Sequence, residues 1–324
     1  MTPGATGPRA KIRQLLTRDE RAAKAFEWIG ALTWADKLDL IRTDDEILSI
    51  PLPLGPGQLR AHRAKMYSSY GRDLAVLAIQ QNGWKGFEQP TPEVLVRLVR
   101  EFPGVLYDVG ANSGIYALLA VEARPGTRVV CFEPFPPALA ALRANVAMNR
   151  FGSHIEVVAA AVDSEEGEAT LYVPTATGAL ETSASLDGNF KEEIEAELKV
   201  PMVALDDYWI QAGRPRVSIV KIDVETTEHR VLEGCRSLVG HERPIIIFEV
   251  LPQADIAALR AFGSEFDLVD VRMTVHKALV GPEVVHDPRG WNHLYVPREH
   301  IDRIVRILTE TGLDVSFDDA WPSR

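Results

Sequence analysis

The chain has 324 residues, 46% of them hydrophobic and 25% charged, with a formal net charge of −11. These are ordinary values for one large globular domain, or one domain with a smaller addition. The acidic balance weighs against nucleic acid as the main partner, since phosphate binding needs a basic surface. The two cysteines, Cys131 and Cys235, form neither a metal spacing nor a disulfide framework, so a reduced, cytoplasmic setting is expected. No apolar run approaches the ~18 residues of a membrane span, and the first residues lack the apolar segment of a secretory signal.

Residues 1–8 read as a flexible tail. From Lys11 to about Leu40 the apolar residues Ile12, Leu15, Leu16, Phe26, Ile29 and Leu32 recur at helical steps. The Pro- and Gly-rich run Leu48 to Gly57 cannot be helical and reads as an extended edge piece. A second helix is predicted from Arg72 to Gln81, with Gly83 as its stop. Residues 1–86 thus read as an added, mainly helical cap or dimerisation region without catalytic spacing, which leaves a homodimer open. The main domain, 87–324, opens with Thr91 as the expected N-cap, Pro92 at the first helical position and a helix to about Glu101.

The stretch Tyr107-Asp108-Val109-Gly110-Ala111-Asn112-Ser113-Gly114 follows a short apolar strand and opens the helical pattern Ile115 to Val121. Gly110 and Gly114 permit a tight turn and close approach of a ligand. The spacing is Asp-x-Gly-x-Asn-x-Gly, not the Gly-x-Gly-x-x-Gly of a dinucleotide site, which argues against an NAD-type oxidoreductase. An acid before the turn and Asn112 within it suit a ligand with an ammonium, a carboxylate and a ribose, such as S-adenosylmethionine. A strand-turn-helix without a ligand is the plainer alternative. The next strand, Arg128 to Phe132, ends in Glu133-Pro134, and a carboxylate there can accept both ribose hydroxyl protons. Glu133 lies 19 residues beyond Gly114, close to the spacing such sites use.

A helix Pro136 to Arg150 and strands His154 to Val162 and Ala169 to Val173 follow. Residues 174–200 read as a long insert whose charged second half, Phe190 to Leu198, is expected to be helical; loops of this length are often functional. Val203 to Trp209 is expected as a short strand, Val217 to Val224 as an apolar strand and Glu228 to Leu238 as a helix. The unbroken apolar run Pro244 to Val250 reads as a fully buried parallel strand. A helix Asp255 to Phe262, a strand Phe266 to Met273, a last strand Trp291 to Val296 and an amphipathic helix Glu299 to Thr311 complete the chain. Alternating strands and helices imply a doubly wound, mostly parallel α/β sheet, whose ligands bind outside the carboxyl ends of the strands.

The remaining candidate acids sit at those ends. Asp223 and Glu225 lie two apart after one strand, and Glu249 closes the next, so the three can converge at the cofactor mouth. Methyl transfer to a hydroxyl needs alignment and removal of one proton, which a carboxylate or histidine can take. The same carboxylates can alternatively hold a divalent cation, although no metal is predicted. The plainer readings make Asp223 a helix cap and Glu225 a solvated acid. His229 and His293 are further candidates as base or substrate ligand.

Tyr107-Asp108-Val109-Gly110-Ala111-Asn112-Ser113-Gly114, Phe132-Glu133-Pro134, Lys221-Ile222-Asp223-Val224-Glu225 and Ile247-Phe248-Glu249-Val250 together resemble the FkbM-type methyltransferases. The similarity spans roughly residues 87–297, including Glu88, Glu181-Thr182-Ser183 and Asn292 to Tyr295. The resemblance implies a seven-stranded class I methyltransferase fold, S-adenosylmethionine as cofactor, and O-methylation of a hydroxyl on a sugar, polyketide or other secondary metabolite. Asp108, Gly110, Asn112, Gly114 and Glu133 match the family's cofactor positions, and Ala160-Ala161-Val162-Asp163 looks like the adenine-side turn, placing Ala161 and Val162 at the cofactor. One departure stands out: Thr226 follows Glu225 where the family usually has glycine. A fold retained only to bind a partner, without catalysis, is the competing reading.

Overall fold

The structure, a computed structural model, describes residues 47–51, 63–67, 73, 75, 76, 78, 79, 83–174, 184–190 and 194–319. The tail at 1–8 and the helix expected from Lys11 to Leu40 lie outside the described residues. So does most of the insert before residue 194, apart from 184–190. Within 1–86, β1 (Ile47–Pro51) pairs antiparallel with β2 (Arg63–Tyr67), and Ala75, Val76, Ala78 and Ile79 are helical.

Strand and helix then alternate: α1 (Thr91–Glu101), β3 (Val105–Val109), α2 (Ile115–Ala123), β4 (Arg128–Phe132), α3 (Pro136–Met148) and β5 (Ile155–Val158). The hairpin is tied to α3 by amides: Asn145 accepts the Tyr67 N–H at 2.7 Å, and Asn149 accepts the Lys65 N–H at 2.9 Å. Thr91 is the first residue of α1 rather than its cap, a position held by Pro90. The shift is one residue, and the Thr91 hydroxyl is buried without a capping bond.

β6 (Ala161–Val162), β7 (Gly167–Pro174) and β8 (Ile194–Val203) form a three-stranded sheet in the order β6-β8-β7. β8 corrects the helix expected over Phe190 to Leu198. Ile194, Ala196, Leu198, Val200 and Met202 alternate with polar residues and proline, which is the period of a half-buried strand. The strand expected from Val203 to Trp209 is instead α4 (Leu205–Gln211), with Asp206 and Asp207 in its first turn, where acids favour the helix dipole.

After α4 come β9 (Val217–Ile222), α5 (Glu228–Glu233), α6 (Arg236–Glu242), β10 (Ile245–Glu249), α7 (Ile256–Glu265), β11 (Leu268–Met273), β12 (Lys277–Gly281), β13 (Asn292–Pro297), α8 (Ile301–Glu310) and β14 (Asp314–Phe317). The helix expected from Glu228 to Leu238 is split at Gly234-Cys235 into α5 and α6. β13 is not the last strand.

The main sheet has nine strands among the described residues, in the order β14-β12-β11-β13-β10-β9-β3-β4-β5. Seven of them, β11 to β5 in that order, form the class I core: six run parallel and β13 is inserted antiparallel between β10 and β11. β12 and β14 widen its edge. β10 is therefore buried as expected but pairs parallel on one side only. Its side chains divide between two layers. Ile245 and Ile247 pack with α1, α2 and α8, whereas Ile246 and Phe248 pack with α4 to α7. Among the described residues no helix is long and apolar enough to cross a membrane.

Candidate functional site

The carboxyl ends of β3, β4, β9 and β10 open onto a cavity of about 400 Å³. Its walls begin at the glycine turn. Gly110 has φ +75°, and a Cβ there would lie 1.8 Å from the backbone oxygen of Asp223. Glycine is what allows the ends of β3 and β9 to come this close. The N–H groups of Gly110 and Ala111 both donate to the Phe132 carbonyl, at 3.0 and 3.1 Å. Gly114, φ +87°, starts α2, and a Cβ there would press on Leu142. The turn is thus folded against the end of β4, and Asn112 donates its N–H to Glu133 Oε2 at 2.8 Å.

Glu133 is 6% exposed and also accepts the Phe135 N–H through Oε1, at 2.8 Å. Each carboxylate oxygen keeps a second lone pair, enough to accept two hydroxyls. Burial pushes the acid up to about 7, with the two N–H groups pulling back. Ala161 and Val162 line the cavity beside Glu133, together with Leu171 and Ala138, an apolar wall suited to a flat base. Asp108 lies beneath the turn and is not among the lining residues. It is fully buried, and neither of its oxygens has a hydrogen-bond partner among the described residues. Burial pushes it up to about 6, against the pull of Lys221 directly across on β9.

At the opposite side of the cavity Glu88, Asp223 and Glu249 bring carboxylate oxygens within 4.8 Å of one another. Lys221 serves this cluster. Its ammonium is 2.8 Å from Asp223 Oδ2 and 4.5 Å over the Tyr116 ring, whose hydroxyl donates to Glu88. Burial opposes the lysine's charge, yet Asp223, Asp108 and Glu88 together hold it above the usual range. Burial and the Asp223 charge push Glu88 up to about 7, and push Glu249 well above the carboxylate range. Oxygen donors of this kind suit a hard divalent cation, and Lys221 already supplies one positive charge there.

Asp223, Glu225 and Glu249 all line the cavity. Asp223 does not cap α5, whose N-cap is Thr227. Glu225 and Thr226 have φ of +58° and +85°. For a β-branched residue this is a strained conformation, costing on the order of 1–3 kcal/mol. His293 is not in the cavity: it is fully buried on β13, with Nδ1 2.8 Å from Asp270. Residue spacing did not single out Glu88, Tyr116 or Lys221. Lys221 did carry a signal, because a lysine inside an apolar strand needs a buried partner. Glu88 carried one only through the family similarity, because only the turn before α1 brings it here.

The donor set fits a ligand that combines a diol, a flat base and positive charge. The glycine turn is packed too closely to accept a side chain, and the acidic end has four carboxylates around one ammonium.

The domain model for methyltransferase FkbM matches residues 108–278. The 31-O-demethyl-FK506 methyltransferase FkbM of Streptomyces tacrolimicus is 34% identical over 157 residues, covering 41% of this chain and 60% of that protein. The 2-O-methyltransferase NoeI of Sinorhizobium fredii is 23% identical over 219 residues, covering 57% of this chain and 88% of that protein. The chain therefore spans about three fifths of the first relative's length. The solved methyltransferase FkbM of Methylobacillus flagellatus KT superposes with a TM-score of 0.40 at 18% identity, over 59% of this chain and 43% of that one. With the domain match reaching across more than half of the 324 residues, this chain belongs to the FkbM methyltransferase family.

Proposed function

We propose that the protein methylates a hydroxyl of a small-molecule acceptor, such as a sugar, polyketide or other secondary metabolite, using S-adenosylmethionine. In this reading residues 87–324 hold the cofactor and 1–86 are an extension. The observation that carries it is one cavity lined both by Glu133, placed for a ribose diol, and by the Glu88–Asp223–Glu249 cluster, placed for a proton.

When bound, S-adenosylmethionine supplies a methyl group on a positively charged sulfur. Glu133 would accept the ribose hydroxyls, and the Gly110–Gly114 turn would admit the ligand close to the backbone. Ala161 and Val162 would flank the base. A methyl passing to the acceptor oxygen would leave its bonding pair on the cofactor sulfur as a neutral thioether, and the carboxylate cluster would take the acceptor's hydroxyl proton. Asp223, oriented by Lys221, is the first receiver. Glu88, at about 7, is matched to proton exchange near neutrality. Alignment of the two reactants supplies much of the acceleration. His293, away from the cavity, has no part in this scheme.

Calorimetric titration with S-adenosylhomocysteine, with NAD as control, tests the reading. Micromolar binding of the first and none of the second is expected. Binding of neither, after dialysis to remove co-purified ligand, would favour a fold kept for partner binding.

A further inference from the structure

We propose that the methyl acceptor docks in a second cavity as an uncharged, hydroxyl-rich molecule, with Thr226 as the specificity-determining residue where the two cavities meet. This rests on the methyl-transfer reading above. The second cavity, about 520 Å³, shares Leu186 with the first. It meets the first across one turn: Glu225 lines the cofactor side and Thr226 the other. An acceptor held there would extend a hydroxyl past this turn towards the carboxylate cluster.

The lining defines the chemistry. Asp187, Asn189, Gln253 and Asp255 offer carboxylates and amides, which pair with hydroxyl groups. Arg230 also lines the cavity, with Nε and Nη2 paired to the buried Asp163 at 2.9 and 2.7 Å, which balances its charge. A phosphate or carboxylate would thus meet two acids and an arginine already engaged. His229 lines the same cavity and adds an imidazole to its polar rim.

Thr226 is the second observation, and it is independent of the first. It is 3% exposed and holds φ +85°, where a glycine would be unstrained. Its hydroxyl has one long contact in return, 3.4 Å to Asp187 Oδ2. Ser185 already ties the same loop to the turn, through a 2.7 Å bond to the Glu225 carbonyl. Strain held at a buried residue beside two cavities marks a functional position. A side chain at this junction sets the width of the passage and offers the acceptor a hydroxyl.

The test uses the full chain loaded with S-adenosylhomocysteine. Binding of methyl glycosides of glucose, galactose and fucose is read by saturation-transfer NMR, with cyclohexanol and glucose 6-phosphate as comparators. Glycoside signals are expected, with neither comparator binding. Thr226→Gly should lower glycoside affinity about tenfold or more while the melting temperature holds or rises and S-adenosylhomocysteine affinity stays unchanged. His229→Ala, at a second residue of the lining, should weaken glycosides likewise and covers the case in which Thr226→Gly folds poorly. Normal S-adenosylhomocysteine binding with no glycoside signal overturns the inference. So do unchanged glycoside affinity in both variants and preferential binding of either comparator. Failure to bind S-adenosylhomocysteine would remove the methyl-transfer reading itself, and the inference with it.

Discussion

Glu133 illustrates how one residue joins fold to chemistry. Its two oxygens hold the glycine turn and the start of the following segment, and their remaining lone pairs face the cavity. Hydrogen bonds to a charged group contribute about 1.5–3 kcal/mol each, so Glu133→Ala should weaken S-adenosylhomocysteine by about 10- to 100-fold. A Kd within twofold of wild type, by calorimetry, would show that the diol is held elsewhere. Asp223 separates binding from chemistry. Asp223→Asn should leave cofactor affinity nearly unchanged and slow methyl transfer to a competent acceptor by about 10²- to 10⁴-fold, the usual range for a general base. Equal loss of both in a folded variant would make Asp223 a binding residue. Glu133 was legible in the sequence because a strand, a Pro stop and a fixed distance from the glycine turn all converge on it. Glu88 was named only by the family similarity, and its place in the cluster was not legible, because its partners Asp223 and Glu249 lie far along the chain.

At the scale of the element, β10 shows how the apolar run is used. Ile247 is 1% exposed and packs into the layer formed by α1, α2 and α8. Ile247→Ala should cost about 2–5 kcal/mol, read as a lower denaturant midpoint at unchanged slope. A loss below about 1 kcal/mol would mean that the layer collapses into the space left. The unbroken run Ile245 to Phe248 announced burial on both faces without saying which strands flank it. An antiparallel partner, β13, arrives from some 45 residues later. β8 went the other way. Its alternation was visible in the sequence, but its charged residues suggested a solvated helix until pairing with β7 was seen.

For the whole molecule, the buried acids make a pH prediction. Glu88, Glu133 and Glu228 are pushed up to about 7 and Asp108 to about 6, chiefly by burial. Between their unfolded values and these, the folded state binds more protons than the unfolded state. The contribution to stability is therefore full below the unfolded values and is lost as pH rises through about 6 to 7. The ligand-free protein should melt several degrees lower at about pH 8 than at about pH 5.5, and S-adenosylmethionine, bringing positive charge, should narrow the gap. Scanning calorimetry with and without ligand checks both. Flat stability across that window would show that the site's acids are already ionised in the folded chain.

Local pattern alone determined the glycine turn, the strand-end acids and the alternation of strands and helices, because each is written in neighbouring residues by backbone sterics and hydrophobic periodicity. The family resemblance followed from four such stretches in order. The tertiary structure decided what depends on distant residues meeting: that Glu88 joins Asp223 and Glu249, that Lys221 stands among four carboxylates, that His293 is sealed in the sheet, and that Thr226 sits strained between two cavities. Burial and through-space charge act between segments far apart in the chain, and those distances exist only once the sheet has formed.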